Sequence, residues 1–233
     1  MVNTLLLDLD GTLCMMDRDR FMKKYMSDMA EHFKDIIPVE SFAPHIMKST
    51  AFANSHPSPN YNWGEVFINH FAEGFGLKTN GMLGRFMDFY VKDFPQYGSI
   101  IAPHPLAHKL LETAKRKGFK LACSSNCVMP KIAIEERMRC CGIDPSIFDF
   151  IPGMEHMHYS KPNPLFFKEI ADYLGVEPED CLVVGNDPDE DMCASDIGMK
   201  TFYIGSQVPD EIVSKVTYSG DMKDLLAMLE KEV

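Results

Sequence analysis

The sequence has no hydrophobic run long enough to cross a membrane and no excess of basic residues. Its longest early apolar run, residues 5–7, ends at Asp8, whereas a membrane-spanning helix needs about 20 apolar residues. The chain has 23 Lys and Arg residues against 34 Asp and Glu residues and a formal net charge of -11, with no local basic patch for a phosphate backbone. We therefore expect a cytoplasmic protein with no signal peptide, no membrane anchor and no nucleic-acid partner.

Paired cysteine motifs are also absent. The seven cysteines include no CxxC unit that would indicate a zinc site or a redox pair. A reactive thiol at Cys123 or Cys127 is one alternative, although nothing in the sequence around them indicates thiolate character. We expect all seven to be reduced, mostly buried thiols: Cys14, Cys123, Cys127, Cys140, Cys141, Cys181 and Cys193.

The chain does contain an alternation of apolar strand-like segments and amphipathic helical segments. Its 233 residues, 45% hydrophobic and 24% charged, suit one core with an insertion. Alternating strands and helices indicate an α/β fold, a doubly wound Rossmann-like parallel sheet covered on both faces. Strands are predicted at residues 4–9, 119–123, 147–151, 181–184 and 200–204, and helices at residues 106–117, 130–141, 164–174, 190–197 and 222–231.

Residues 17–102 have a different pattern. Amphipathic stretches at residues 20–33 and 65–75 carry Met and Phe at helical spacing, and the turn-rich residues 55–60 separate them. This pattern predicts a small helical bundle with its own aromatic core. We therefore predict a core domain formed by residues 1–16 and 103–233, and an inserted α-helical cap domain formed by residues 17–102.

Chemically active side chains follow the predicted strands, whose carboxyl ends form one ligand-binding edge of a parallel sheet. Asp8 and Asp10 leave the first strand together, while Ser125, Lys161 and Asp187 lie at later strand ends. Mg²⁺ binds hard oxygen ligands together with a substrate phosphate, so these carboxylates indicate a magnesium site. An Asp held there can attack phosphorus while a second Asp moves the protons.

Four motifs in order resemble those of the haloacid dehalogenase superfamily, over about residues 1–16 and 103–233. They are DLDGTL at 8–13, LACSSN at 121–126, SKPNPLFF at 160–167 and VVGNDPDEDM at 183–192. The resemblance implies that Asp8 is the nucleophile and a metal ligand. It implies that Asp10 is the general acid and base and binds the metal through its backbone carbonyl. It also implies substrate binding by Ser125, Asn126 and Lys161.

The fourth motif departs from the family pattern. Family members usually have Gly-Asp where this chain has Gly185-Asn186. Asp187 is therefore predicted as the direct Mg²⁺ ligand and Asp191 as a water-mediated one. Asn186 stays open as the alternative, because an amide oxygen can bind magnesium but carries no charge.

The resemblance predicts a magnesium-dependent phosphomonoester hydrolase, a phosphatase that forms an aspartyl-phosphate at Asp8. Its partner would be a small phosphorylated metabolite, and the chain would be a monomer or a small homo-oligomer. Dehalogenation is disfavoured because dehalogenating relatives lack the second Asp, here Asp10. A sugar-phosphate mutase of the same fold stays open, and the substitution at Asn186 leaves a non-catalytic phosphometabolite-binding protein open as well.

The insertion corresponds to a cap of the superfamily's first class (subfamily I, IA-like), which would exclude water and select the substrate. Candidates for substrate contact follow from position and residue type alone: Arg18, Arg20, Tyr25, Asn62 and Trp63. The pair His156 and His158, just before Lys161, is expected to be exposed rather than to bind a metal.

Overall fold

The computed structural model describes residues 2–231, which form seven β-strands and eight α-helices. The strands are β1 (Thr4–Leu7), β2 (Cys14–Met16), β3 (Ile101–Pro103), β4 (Lys120–Cys123), β5 (Cys181–Gly185), β6 (Lys200–Ile204) and β7 (Tyr218–Gly220). The helices are α1 (Arg18–Phe33), α2 (Val39–Ser55), α3 (Trp63–Gly74), α4 (Met82–Lys92), α5 (Ala107–Arg116), α6 (Lys131–Cys140), α7 (Leu165–Leu174) and α8 (Met222–Lys231). Within the described residues, no helix is both long and apolar enough to span a membrane.

Five strands form one parallel sheet in the order β4-β1-β5-β6-β7. Leu6 of β1 lies opposite Ala122 of β4 and Val183 of β5. Every residue of β1 and β5 is buried, as expected for strands covered by helices on both faces. The predicted α/β Rossmann-like fold is confirmed.

The observed sheet and helices differ from the predicted ones in three places. Residues 147–151 do not form a strand: only Phe150 bridges to β4, and the Asp149 carboxylate accepts the Leu121 N–H at 2.7 Å, where a strand would offer a backbone carbonyl. Residues Met192–Ile197 form a 3₁₀ helix. The fifth strand is instead β7, whose sequence Tyr-Ser-Gly has no apolar run to signal it.

The insertion between β2 and β3 is helical, with α1 to α4 followed by a 3₁₀ helix at Phe94–Ser99. The β2 and β3 strands pair antiparallel, with Met15 opposite Ala102, so both ends of the insertion leave the core through one two-stranded ribbon. Aromatic rings fill its interior: the ring of Phe86 lies 4.7 Å from that of Phe33 and 5.3 Å from that of Phe71. The spacing of apolar residues predicts this core, whereas the short ribbon has no pattern of its own.

The helical insertion also contacts the core through the first turn of α3. Asn62 and Glu65 form a capping box there, in which each side chain accepts the other residue's backbone N–H. The next two N–H groups donate to the core: that of Trp63 to the Met157 carbonyl and that of Gly64 to the Met154 carbonyl, both at 2.7 Å. The helix thereby uses its unpaired N-terminal donors to hold the insertion onto the core.

The expectation of seven free thiols is wrong for two cysteines. Cys14 on β2 and Cys141 after α6 are paired as a disulfide, with Cα atoms 6.3 Å apart. They are 127 positions apart in sequence, so no spacing motif signals the pair. The other five cysteines are free, and Cys123, Cys127, Cys181 and Cys193 are buried as predicted.

Candidate active site

The carboxyl edge of the sheet brings the sequence motifs together. Asp8 directly follows β1, which lies between β4 and β5, so Asp8 stands between the loops that carry Ser125 and Asn186. The Asp8 N–H donates to the Val184 carbonyl at 2.9 Å and fixes the start of its loop. A cavity of about 360 Å³ opens over this edge, and its lining includes Asp8, Asp10, Ser125, Asn126, Lys161, Asn186, Asp187 and Asp191.

Asp8 is buried, with only 7% of its surface exposed. Its Oδ1 accepts the Lys161 ammonium at 3.0 Å, and its Oδ2 accepts the Thr12 hydroxyl at 3.3 Å. Burial raises the pKa of Asp8 to about 7, although Lys161 acts in the opposite direction. The charged form of this carboxylate therefore depends on a positive neighbour.

Lys161 is the cation that supports Asp8. It is 2% exposed and its ammonium also pairs with Asp191, which is completely buried. Burial alone would lower the pKa of Lys161, but the carboxylates of Asp191 and Asp8 outweigh it and raise that pKa. The other Asp191 oxygen accepts the Asp187 N–H at 2.9 Å. Asp191 therefore orients both Lys161 and the loop of the fourth motif.

Asp10 and Ser125 meet at a third charged residue, Arg137 of α6. The Arg137 guanidinium forms an ion pair with Asp10 Oδ2 and donates from Nη2 to the Ser125 hydroxyl at 3.2 Å. The second carboxylate oxygen of Asp10, Oδ1, is buried and has no hydrogen-bond partner. Arg137 therefore lies between the two side chains that the sequence predicts to handle the leaving group and the phosphoryl group.

Asn126 lines the cavity, but its amide is already engaged. Its Oδ1 accepts the Lys161 N–H and its Nδ2 donates to the Lys161 carbonyl, each at 3.3 Å. The same Nδ2 donates to Glu190 at 3.3 Å. Asn126 thus holds the backbone of the segment that carries Lys161.

The two candidates for the fourth metal-binding position have different surroundings. Asp187 Oδ1 accepts the N–H groups of Asp189 at 3.0 Å and Glu190 at 2.9 Å, so this carboxylate stabilises the turn of its own loop. Asn186 Oδ1 instead accepts the Thr12 hydroxyl at 3.2 Å, the same hydroxyl that contacts Asp8. Asn186 is therefore the side chain that shares a contact with the predicted nucleophile.

The donor set at this edge fits magnesium. It combines the Asp8 carboxylate with the backbone carbonyl of Asp10 and the amide oxygen of Asn186, which are hard oxygen donors of residues that line the cavity. Among residues 2–231, no three His, Cys, Asp or Glu side chains are gathered closely enough to hold a metal ion by themselves. Mg²⁺ does not need such a cage, since it keeps several waters and is bound through one or two carboxylates plus substrate phosphate.

Of the residues predicted to contact substrate from the insertion, only Arg18 lines the cavity. Arg20 is exposed outside it, and the Tyr25 hydroxyl is buried against the Tyr90 hydroxyl at 2.5 Å. Asn62 caps α3, and the Trp63 indole is buried and donates to Asn54. Apolar residues of the insertion and ribbon complete this wall of the cavity: Met16, Phe21 and Met22.

The alternatives at cysteine and histidine receive no support from the geometry. Burial raises the pKa of the Cys123 thiol to about 12 and raises that of Cys127 as well, which is the opposite of thiolate activation. The two histidines are half-buried rather than exposed as expected, and they contact different partners: the His158 ring bonds Glu169 at 2.6 Å, whereas His156 packs edge-on against Phe150. They do not form a metal-binding pair.

Sequence reasoning does not find Arg137, although a signal for it exists. The buried face of α6 is formed by Ala133, Ile134, Arg137 and Met138, so an arginine occupies a position of the helix's apolar stripe. A charged residue at such a position needs a partner inside the protein. Sequence reasoning also assigns no role to Thr12, although Thr12 belongs to the first motif. In the structure its hydroxyl bridges Asp8 and Asn186.

Known proteins resemble this chain over most of its length. A protein-family model described as haloacid dehalogenase-like hydrolase matches residues 2–194. Among solved structures, a HAD phosphatase from Thermococcus onnurineus superposes with a TM-score of 0.62 at 19% identity over 98% of both chains. At that identity the structural likeness shows the fold.

Curated relatives match over different shares of their length. Pyrophosphatase PpaX of Bacillus mycoides is 19% identical over 240 residues, 99% of this chain and 98% of that protein. Phosphoglycolate phosphatase of Aquifex aeolicus is 31% identical over 141 residues, 56% of this chain and 61% of that protein. Protein SUPPRESSOR OF QUENCHING 1, chloroplastic, of Arabidopsis thaliana is 24% identical over 183 residues, 78% of this chain but 16% of that protein. The chain thus spans less than two thirds of two of these three relatives.

Proposed function

Since this chain belongs to the haloacid dehalogenase-like hydrolases, we propose that it is a magnesium-dependent phosphatase that acts on a small phosphorylated metabolite. One observation carries the proposal: a buried Asp8 at the carboxyl end of β1, held 3.0 Å from the Lys161 ammonium, lines a cavity of about 360 Å³. The size suits a small ligand. The names of two relatives, a pyrophosphatase and a phosphoglycolate phosphatase, support phosphate esters and anhydrides as the substrate class.

The proposed reaction has two displacements at phosphorus. The Asp8 carboxylate forms a bond to phosphorus as the bond to the leaving oxygen breaks, and Asp10 donates a proton to that oxygen. Asp10 then takes a proton from a water molecule, whose oxygen attacks the aspartyl-phosphate, releases inorganic phosphate and restores the Asp8 carboxylate. Ser125 and Lys161, which line the cavity, would donate to the phosphoryl oxygens. Asn126 acts by positioning Lys161.

Magnesium, when bound, would offset the charge of the phosphoryl group and of the carboxylates around it. We propose Asp8, the backbone carbonyl of Asp10 and one residue of the fourth motif as its protein ligands. The sequence predicts Asp187 for the last position, but the contact that Asn186 shares with Asp8 through Thr12 favours Asn186. Asp187 is instead engaged by its own turn.

We further propose that the helical insertion, residues 17–102, acts as a cap over the cavity. Arg18, Phe21 and Met22 of α1 line the cavity, so the insertion would contact a substrate bound there. Such a cap would exclude water during the transfer and select the substrate. A cytoplasmic location and a monomeric or small homo-oligomeric state stay predictions from the sequence.

The direct test is phosphate release from a panel that includes phosphoglycolate, pyrophosphate, sugar phosphates and nucleoside monophosphates, with and without Mg²⁺. Asp8→Asn removes the nucleophile and is expected to lower turnover by at least about a thousandfold. Asp172→Asn is the matched control, because Asp172 is exposed on α7 and its ion pair within residues 2–231 is with Lys168. We expect that control to keep wild-type turnover.

Two outcomes would contradict the proposal. Folded wild-type protein that binds Mg²⁺ but releases no phosphate from any compound would favour a mutase or a binding protein. Release that continues in Asp8→Asn would place the nucleophile elsewhere.

A further inference from the structure

Arg137 is a buried charge in the wall of the active-site cavity. Its side chain is only 5% exposed, and it lies on the face of α6 that also carries Ile134 and Met138. A buried guanidinium is costly unless its charge and its N–H groups are paired. Here Nη1 contacts Asp10 and Nη2 contacts Ser125, while Nε is buried and has no hydrogen-bond partner among residues 2–231. The pairing of Arg137 is therefore incomplete in this structure.

Asp10 and Ser125, which contact Arg137 in the structure, each have a separate role in the proposed reaction. Asp10 must reach the leaving oxygen, and the Ser125 hydroxyl must donate to the phosphoryl group. When Asp10 turns to the leaving oxygen, Arg137 loses the Asp10 carboxylate that balances its positive charge in the present structure. A negatively charged group of the substrate would replace the Asp10 carboxylate, because two of its oxygens can accept the parallel N–H groups of the guanidinium.

Carboxylates line part of the cavity, but a second arginine and the cavity's size favour a second anionic group. Lys161 is occupied by Asp8 and Asp191, whereas Arg18 reaches the same cavity from the helical insertion and forms no ion pair among those found in residues 2–231. The lining also includes the apolar side chains of Met129 and Phe21. A cavity of about 360 Å³ holds only a small molecule, so a second acidic group of the substrate would lie near its phosphate.

We propose that Arg137 binds a second anionic group of the substrate, so that this enzyme prefers small phosphate compounds that also carry a carboxylate or another phosphate. The proposal rests on the proposed phosphatase function and names its substrate class. Arg137 would then be a specificity-determining residue. Once Arg137 pairs with the substrate instead of Asp10, Asp10 would be free to reach the leaving oxygen.

The test compares two esters that differ only at the second group: phosphoglycolate, which has a carboxylate, and 2-hydroxyethyl phosphate, which has a neutral hydroxymethyl group. Wild-type protein should show a higher kcat/KM for phosphoglycolate. Arg137→Gln should lower kcat/KM for phosphoglycolate by about 10- to 100-fold, mainly through KM, since a hydrogen-bonded charge pair is lost. Loss of the contacts to Asp10 and Ser125 should lower the values for both esters alike. The expected signature is therefore a fall of about tenfold or more in the ratio of kcat/KM for phosphoglycolate to that for 2-hydroxyethyl phosphate.

Two further variants separate this role from a structural one. Arg139→Gln lies on the same helix but is exposed and pairs with Glu135 and Glu136, so it should leave both substrates unchanged. Arg137→Lys keeps the charge without the fork and should restore part of the preference for phosphoglycolate. It also keeps the test valid if Arg137→Gln does not fold, which circular dichroism would show. Equal losses on both esters, or no loss on either, would overturn the proposal.

Failure of the phosphatase function itself is a separate result. If wild-type protein hydrolyses neither ester, binding of the two esters is measured by calorimetry in Asp8→Asn, with and without Arg137→Gln. If phosphoglycolate binds more tightly than 2-hydroxyethyl phosphate and Arg137→Gln abolishes the difference, the proposed role of Arg137 is supported even though the phosphatase function is not. Equal binding of both esters in Asp8→Asn would overturn it.

Discussion

Lys161 sits between two carboxylates, and this arrangement defines the chemistry of the site at the scale of single residues. Asp8 and Asp191 would repel each other without the ammonium, because both are buried. Thr12 adds a hydroxyl that contacts Asp8 and Asn186. The neutral Asn186 thus occupies a place where a third carboxylate would add negative charge next to the nucleophile.

Asn186→Asp is expected to tighten Mg²⁺ binding about tenfold, because a charged oxygen ligand replaces a neutral one beside Asp8. Calorimetric titration of the protein with Mg²⁺ measures this without relying on turnover. Asn60→Asp, an exposed loop position, controls for the added net charge and should leave the dissociation constant unchanged. If Asn186→Asp has no effect while Asp187→Asn weakens binding, Asp187 is the ligand, as the sequence alone predicts.

At the scale of elements, the first turn of α3 and the ribbon of β2 and β3 connect the helical insertion to the core. The ribbon carries both chain connections, and α3 adds the N–H groups of Trp63 and Gly64. An added Cβ at Gly64 would lie 2.8 Å from the Met154 carbonyl oxygen. The glycine is therefore required for the close approach of this helix to the core.

Gly64→Ala should lower the free energy of unfolding by about 1–3 kcal/mol, because the new methyl group overpacks a backbone contact. Urea unfolding measures the loss. Gly84→Ala in α4 is the matched control: no atom lies within 4 Å of its added Cβ, so it should be neutral or stabilise the protein by up to about 1 kcal/mol. Equal effects of the two variants would mean that α3 can withdraw from the core without cost.

At the scale of the whole molecule, five carboxylates and three cations, Arg18, Arg137 and Lys161, gather at one edge of the sheet. The chain carries a formal net charge of -11, and the cavity lining contains the carboxylates of Asp8, Asp10, Asp187, Glu190 and Asp191. Burial raises the pKa of Glu190, and burial likewise raises that of Asp8. A bound divalent cation would relieve this repulsion in the folded state alone.

Mg²⁺ at about 100 times its dissociation constant should therefore raise the free energy of unfolding by about 2.7 kcal/mol. Urea unfolding with Mg²⁺ and with a chelator, at equal ionic strength set by NaCl, measures the difference. The stabilisation should shrink in Asp8→Asn, which removes one ligand charge. Equal stabilisation by NaCl alone would show general screening and no specific site.

Local patterns were sufficient to predict four of the five strands of the parallel sheet and most of its helices. Apolar runs at residues 4–7 and 181–184 mark buried parallel strands, and helical spacing of aromatic residues marks the insertion. Residues 147–151 show the limit of such patterns, since the Asp149 side chain takes the place of a backbone partner. β7 is a strand that such patterns miss, because a three-residue edge strand has no apolar run.

The α/β class and the family follow from the sequence, which also predicts the residues that carry the chemistry, because motifs at strand ends must meet at one edge of a parallel sheet. The folded structure is needed to show which of those side chains are in contact. It paired Arg137 with Asp10 across 127 positions, joined Cys14 to Cys141, and placed Asn186 rather than Asp187 beside Thr12. Contacts of this kind depend on how helices and loops pack over the sheet, which short-range sequence patterns do not encode.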